Sequence, residues 1–143
     1  MNVLVDTPVW SLAYRRSAKV LDETQRQLLG DLRDIACDGR AQMLGLVRQE
    51  LLSGLRDPAQ FERLRRLLRA FHDLPVTADD HEEAARMSNA CRAKGVAGSI
   101  VDFLICAVAA RRDWPIFTLD RDFELYTRHL PIKLFRSRPG AIQ

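Results

Sequence analysis

Five carboxylates stand where apolar runs end or helices begin. Asp6 closes the run Met1-Asn2-Val3-Leu4-Val5, and Glu50 follows the apolar stretch from Met43 to Val47. Asp102 lies in the first turn of the helical pattern Ser99-Ile100-Val101-Asp102-Phe103-Leu104. Asp120 and Asp122 close the run Pro115-Ile116-Phe117-Thr118-Leu119. Acids far apart in sequence meet in space when the strands that carry them are parallel. A parallel sheet gathers its carboxyl ends along one edge, and that edge is where ligands bind. Several carboxylates in one pocket repel one another unless a cation sits among them. The chemistry they imply is that of a hard, oxygen-loving divalent metal.

Each acid also has a purely structural reading. Asp6 can cap the helix that follows it. Ser99-Ile100-Val101-Asp102 has the spacing of a capping box, which fixes a helix start without any catalysis. Glu50 alone reads as an exposed helix acid, and Asp120 and Asp122 alone read as turn residues. Their combination is what favours a shared site.

The elements that must position these acids read as alternating strands and helices. Residues 2–6 are apolar and β-branched, as in a buried strand. Thr7-Pro8 breaks that strand and opens a helix from about Pro8 to Arg15, with Thr7 as its cap. Residues 21–38 read as a helix with Leu28, Leu32 and Ile35 on one face and Gly39 as the stop. Met43 to Val47 reads as a second strand, and Gln49 to Leu55 as a short helix. Asp57-Pro58 opens a helix whose apolar stripe is Phe61, Leu64, Leu67, Leu68 and Phe71, with Arg63, Arg65, Arg66 and Arg69 projecting elsewhere. Leu74 to Thr77 reads as a short strand. A helix over Asp80 to Lys94 follows, capped by Thr77 or Asp79 and ended by Gly95. Gly98-Ser99 opens a helix to about Arg112. Pro115 to Leu119 is a strand, residues 121–128 a short helix, and Ile132 to Phe135 a last strand. The alternation predicts an α/β fold with three layers, α/β/α, around a central, mostly parallel sheet. One domain is expected over residues 1–135, with a loose C-terminal tail at 136–143.

Composition narrows the class. With 143 residues, 47% hydrophobic and 29% charged, the chain has the make-up of a single globular domain and not of a disordered one. No apolar run approaches about 20 residues, and the start lacks a basic region followed by a long apolar one. A cytoplasmic protein without a membrane span is expected. Cys37, Cys91 and Cys106 form no C-x-x-C pair and no Cys/His zinc pattern, so reduced core cysteines are expected. His72, His81 and His129 share no metal spacing with the acids and read as surface or satisfied core residues. The net charge is +3, from 22 Lys+Arg against 19 Asp+Glu. If the five acids face one pocket, the remaining surface is more basic than that figure suggests. Such a surface suits a polyanionic substrate steered to a metal, although solvated helix faces give the same count.

Taken together the pattern resembles the PIN-domain nuclease family and, within it, the small toxin ribonucleases of bacterial VapBC toxin–antitoxin pairs. The matching pieces are Val3-Leu4-Val5-Asp6-Thr7-Pro8-Val9-Trp10 and Gln49-Glu50-Leu51-Leu52-Ser53-Gly54-Leu55. They continue with Gly98-Ser99-Ile100-Val101-Asp102-Phe103-Leu104-Ile105-Cys106-Ala107 and Phe117-Thr118-Leu119-Asp120-Arg121-Asp122-Phe123. They occur in the family's order and spacing and span residues 1 to about 135.

By this resemblance Asp6, Glu50 and Asp102 match the family's three leading acids. Asp120 and Thr118 match its threonine-x-aspartate motif, and Ser99 matches a polar position beside the site. Asp122 sits where some relatives use a second acid, so either Asp120 or Asp122 is the closer ligand. One or two Mg²⁺ or Mn²⁺ ions would be held by Asp6, Asp102 and Asp120. Glu50, with Asp122, would hold or orient the attacking water for in-line cleavage of RNA, giving a 5′-phosphate and a 3′-hydroxyl. Arg15, Arg16, Arg48 and Arg56 are candidates to hold the phosphate backbone of single-stranded or loop RNA. Trp10 and Tyr14 are candidates to stack on a base. The resemblance also implies a small cognate antitoxin, whose C-terminal segment crosses the acidic site, and a homodimer. Helices 21–38 and 57–72 are the expected antitoxin contacts, unless their stripes bury against the sheet.

Other α/β readings fit less well. A phosphatase of the haloacid dehalogenase type needs D-x-D after the first strand, and the residues here are Asp6-Thr7-Pro8. A receiver-like phosphoacceptor needs an Asp after a middle strand, and Val47-Arg48-Gln49-Glu50 offers none. A housekeeping nuclease without antitoxin, or a PIN domain that binds RNA or Mg²⁺ without cutting, is the nearest alternative.

Overall fold

The computed structural model describes residues 1–14 and 20–137. Its first strand, β1 (Val3–Val5), is buried at every residue, as expected of a strand covered on both faces. β1 sits between β2 (Ala41–Gln42) and β3 (Ile116–Phe117), parallel to both, in the order β2-β1-β3. Single parallel bridges extend the sheet outward, Met43 to Asp73 beyond β2 and Ile116 to Leu134 beyond β3.

The helices are α1 (Thr7–Tyr14), α2 (Glu23–Cys37), α3 (Gly45–Leu52), α4 (Pro58–Leu68), α5 (Ala78–Ala93), α6 (Ile100–Arg112) and α7 (Asp122–Tyr126). Their starts follow local rules. Asp22 and Gln25 form a capping box at α2, and Thr77 and Asp80 form another at α5. Asp57 caps α4 with Pro58 in its first turn, and Ser99 caps α6. Residues 103–109 of α6 are all buried, so this helix lies in the core, packed on β1 and β3 and covered by α5. α1 packs against α2 and α3. The result is the expected α/β fold, a parallel sheet between helices.

Three expected strands differ. The run Met43–Val47 is mostly helix, because β2 lies earlier and α3 starts at Gly45. Leu44, Val47 and Leu51 are fully buried at helical spacing. A short apolar run reads the same for a buried strand and a buried helix turn. The expected strands at 74–77 and 132–135 shrink to the bridges at Asp73 and Leu134. Cys91 and Cys106 are buried, but Cys37 is exposed at the end of α2. His72, His81 and His129 are all exposed.

Candidate metal centre

The site forms at the carboxyl edge of the sheet. β1 ends at Asp6, whose N–H donates to the Phe117 carbonyl at 2.8 Å and so carries the pairing one residue further. Its carbonyl starts α1 by accepting from Val9 and Trp10. Asp6 therefore does open the next helix. Its side chain takes the first N–H of α1 with one oxygen and reaches the end of β3 with the other. Oδ1 accepts from the Thr7 N–H at 2.8 Å and Oδ2 from the Thr118 hydroxyl at 2.7 Å.

Thr118 then links two acids, because its Oγ1 also accepts from the Asp120 N–H at 3.0 Å. The Asp120 Oδ1 accepts from the Asp122 N–H at 2.9 Å, which turns the chain into α7. On the other side Thr7 is not the cap expected of it. Its hydroxyl donates to Glu50 Oε1 at 2.7 Å and ties the exposed Glu50 of α3 to the end of β1. Asp102 enters from the first turn of α6. Ser99 Oγ accepts from its N–H at 3.0 Å, and its Oδ2 accepts from the Tyr126 hydroxyl at 2.7 Å.

Asp102, Asp120 and Asp122 each present a carboxylate oxygen, and these oxygens lie within 4.8 Å of one another. Asp6 lies beside them, with both its oxygens held by neutral donors. Among the described residues none of the five acids forms an ion pair with a cation.

Electrostatics follow from that lack. Asp6 is only 4% exposed. Burial pushes its carboxyl up to about 6 despite the bonds from Thr118 and Thr7, and the charges of Asp102 and Asp120 add to the rise. Burial also raises Asp102, against the bonds from Tyr126 and Ser99. The Tyr126 hydroxyl is raised by burial and by its bond to Asp102, so it stays protonated and remains a donor. Burial raises the Cys106 thiol as well, with the Asp102 charge adding to it, which leaves that side chain inert. Clustered carboxylates without a cation, two of them raised by burial, suit a divalent metal bound through oxygen.

The remaining candidates divide. Arg48 is spent on structure, since its guanidinium bonds Asp73 at 2.8 Å and the carbonyls of Leu68 and Phe71 at the end of α4. Arg56 is exposed and unpaired among the described residues. Arg15 and Arg16 lie outside the described residues. Trp10 is fully buried, with its indole N–H on the Val5 carbonyl and its ring edge-on to Phe71, so it is core and not a base platform. Tyr14 stacks on Trp10 and lines a groove with Leu55, Gln60, Arg63, Leu64 and Leu67. The stripe of α4 splits, with Leu64 and Leu68 buried but Phe61 and Leu67 more than a third exposed.

The family model for the PIN domain matches residues 3–128. The chain belongs to the PIN domain family. The fold agrees at low sequence identity with several solved structures. FitAcB from Neisseria gonorrhoeae is 17% identical over 94% of this chain and 96% of that one, with a TM-score of 0.73. VapBC2 from Rickettsia felis, solved with a DNA fragment from its promoter, is 16% identical over 96% of this chain and 100% of that one, with a TM-score of 0.72. A toxin–antitoxin complex from Klebsiella pneumoniae is 17% identical over 85% of this chain and 90% of that one, with a TM-score of 0.60.

Sequence reading of this PIN domain missed Tyr126. Its spacing from Phe123 marks it as core, which it is, and nothing local reveals that its hydroxyl reaches an acid 24 residues away.

Proposed function

We propose that this chain is a Mg²⁺- or Mn²⁺-dependent endoribonuclease and the toxin of a toxin–antitoxin pair. The observation that carries the reading is the trio Asp102, Asp120 and Asp122, with oxygens within 4.8 Å and no cationic side chain paired to them among the described residues. Membership of the PIN domain family supports nuclease activity in general. The similarity to toxin–antitoxin structures supports the biological role.

Asp102, Asp120 and Asp122 would hold the cation, with Asp6 as a fourth ligand or as the buried charge that strengthens the site. The bound metal would neutralise charge on the reacting phosphate and lower the pKa of the attacking water. Glu50, exposed at the rim and steadied by Thr7, would orient that water for in-line attack, leaving a 5′-phosphate and a 3′-hydroxyl. Thr118 holds one carboxylate oxygen of Asp6 and the backbone N–H of Asp120, and Ser99 holds the backbone of Asp102. Arg56, with Arg15 and Arg16, would hold the RNA backbone.

The partner would be a small antitoxin on α2 and α4; on α4 Phe61 and Leu67 stand exposed, and Leu67 lines the Tyr14 groove. A homodimer and a cytoplasmic location complete the reading. Among the described residues no helix is long and apolar enough to cross a membrane. We assign the nuclease to residues 1–135; of the expected tail, Arg136 bonds Glu124 and Ser137 bonds Asp31, and residues 138–143 lie outside the described residues.

The test is cleavage of total cellular RNA by the purified chain with Mg²⁺ or Mn²⁺ against EDTA, beside Asp6→Ala and Asp102→Ala. Discrete fragments that need both the metal and the acids are expected. Equal cleavage by folded variants would remove the assignment.

A further inference from the structure

We propose that Tyr126 is a positioning residue for the metal centre, holding one oxygen of Asp102 so that the other faces the cation. The inference rests on the metal reading above. It starts from a buried polar atom that packing alone does not explain. Tyr126 is fully buried, and its ring lies 5.2 Å from that of Phe103 and 5.2 Å from that of Phe123, centroid to centroid. In such a pocket a phenylalanine would serve packing better, because a buried hydroxyl is costly unless it is bonded. The one hydrogen bond this hydroxyl donates goes to Asp102 Oδ2 at 2.7 Å.

The neighbouring chain leaves room for that bond. A Cβ on Gly98 would collide with the Tyr126 hydroxyl and come within 2.9 Å of the Phe103 ring. A side chain at position 98 is thus excluded jointly by the tyrosine hydroxyl and the Phe103 ring. Asp102 is held from two sides, its backbone by Ser99 and its carboxylate by Tyr126 on α7. α7 also carries Asp122, and the turn into α7 carries Asp120, so the same contact fixes α6 and α7 relative to each other. Partners of this kind orient a ligand and set metal affinity, typically by about 10- to 100-fold. The competing role is structural, with the bond only pinning α7 to α6. In that case its loss lowers stability and leaves metal affinity alone.

Calorimetric titration of Mn²⁺ into the metal-free full chain separates the two roles, with urea unfolding in EDTA run beside it. The variants are Tyr126→Phe, Gly98→Ala and Asp102→Asn. Tyr126→Phe keeps the ring packing and is expected to weaken Mn²⁺ binding by about tenfold. Gly98→Ala is expected to do the same by displacing the hydroxyl, and Tyr126→Phe decides alone if Gly98→Ala does not fold. An unchanged Mn²⁺ affinity in Tyr126→Phe, with binding lost in Asp102→Asn, overturns the positioning role and leaves the metal centre standing. No Mn²⁺ binding by the wild type, or undiminished binding by Asp102→Asn, overturns the metal reading and this inference with it.

Discussion

Two aspartates in this protein are almost equally buried and have opposite surroundings. Asp80 is 0% exposed and Asp6 is 4% exposed. Asp80 accepts from Arg111 at 2.6 Å, from both terminal nitrogens of Arg112 at 2.8 and 3.0 Å, and from the Thr77 N–H at 2.9 Å. Arg112, helped by Thr77 and Arg111, holds its carboxyl well below the usual carboxylate range. Asp6 has neutral donors only, and its carboxyl rises to about 6. The fold balances the Asp80 charge from within and leaves the acids around Asp6 to be balanced from outside. Burial marks both residues as important, and the partner set says for what.

The largest effect should appear when each acid is removed. Asp80→Ala strands two arginines and half of the α5 capping box. It should cost about 3 kcal/mol of stability, as breaking a buried ion pair does, with Mn²⁺ affinity unchanged. Asp6→Asn should abolish RNA cleavage yet leave the metal-free protein at least as stable as the wild type at pH 7. Urea unfolding in EDTA gives both signs, and a loss of stability in both variants would break the contrast.

A pH series sharpens it. The folded-state value of Asp6 is raised from 3.8 to about 6, so its favourable contribution is complete below pH 4 and is lost as pH rises through 6. That loss amounts to about 3 kcal/mol at pH 7 for the metal-free protein, from the size of the shift. Asp80 is shifted the other way, so its contribution is present above pH 4 and is lost as pH falls below it. Stability in EDTA should therefore peak on the acid side of neutrality. Mg²⁺ should offset the loss that is complete above pH 6, and Asp6→Asn should flatten the fall between pH 4 and pH 6.

The arginines extend the comparison at smaller scale. Arg48→Ala should cost about 2 kcal/mol through its lost charged hydrogen bonds and leave cleavage per folded molecule intact. Arg56→Ala should leave the urea midpoint in place and lower the salt slope of RNA binding by about one, as loss of one phosphate contact does. Reversed results would exchange the two roles.

The same contrast shows how far the chain can be read without its fold. Thr77-x-x-Asp80 and Ser99-x-x-Asp102 are the same local signature, and both begin helices as that signature requires. What separates a structural acid from a candidate ligand is tertiary. Asp80 meets arginines from the far end of α6, while Asp102 meets Tyr126 and the turn after β3. The nearness of Asp6 and Asp120 follows from the parallel pairing of β1 with β3, whereas Glu50 and Asp102 arrive on the helices α3 and α6 and not at strand ends. Arg48 and Arg56 look alike in sequence, and only the packing of α3 against the end of α4 tells them apart. The run Met43–Val47 is ambiguous for a related reason, since short buried runs carry no decisive period and this one mostly forms α3.

The most direct test is a crystal of the full chain soaked in Mn²⁺ and measured at a wavelength where manganese scatters anomalously. A peak is expected among the carboxylates of Asp102, Asp120 and Asp122 and none beside Asp80. A soaked crystal with no peak at the trio, or with manganese bound only elsewhere, would contradict it.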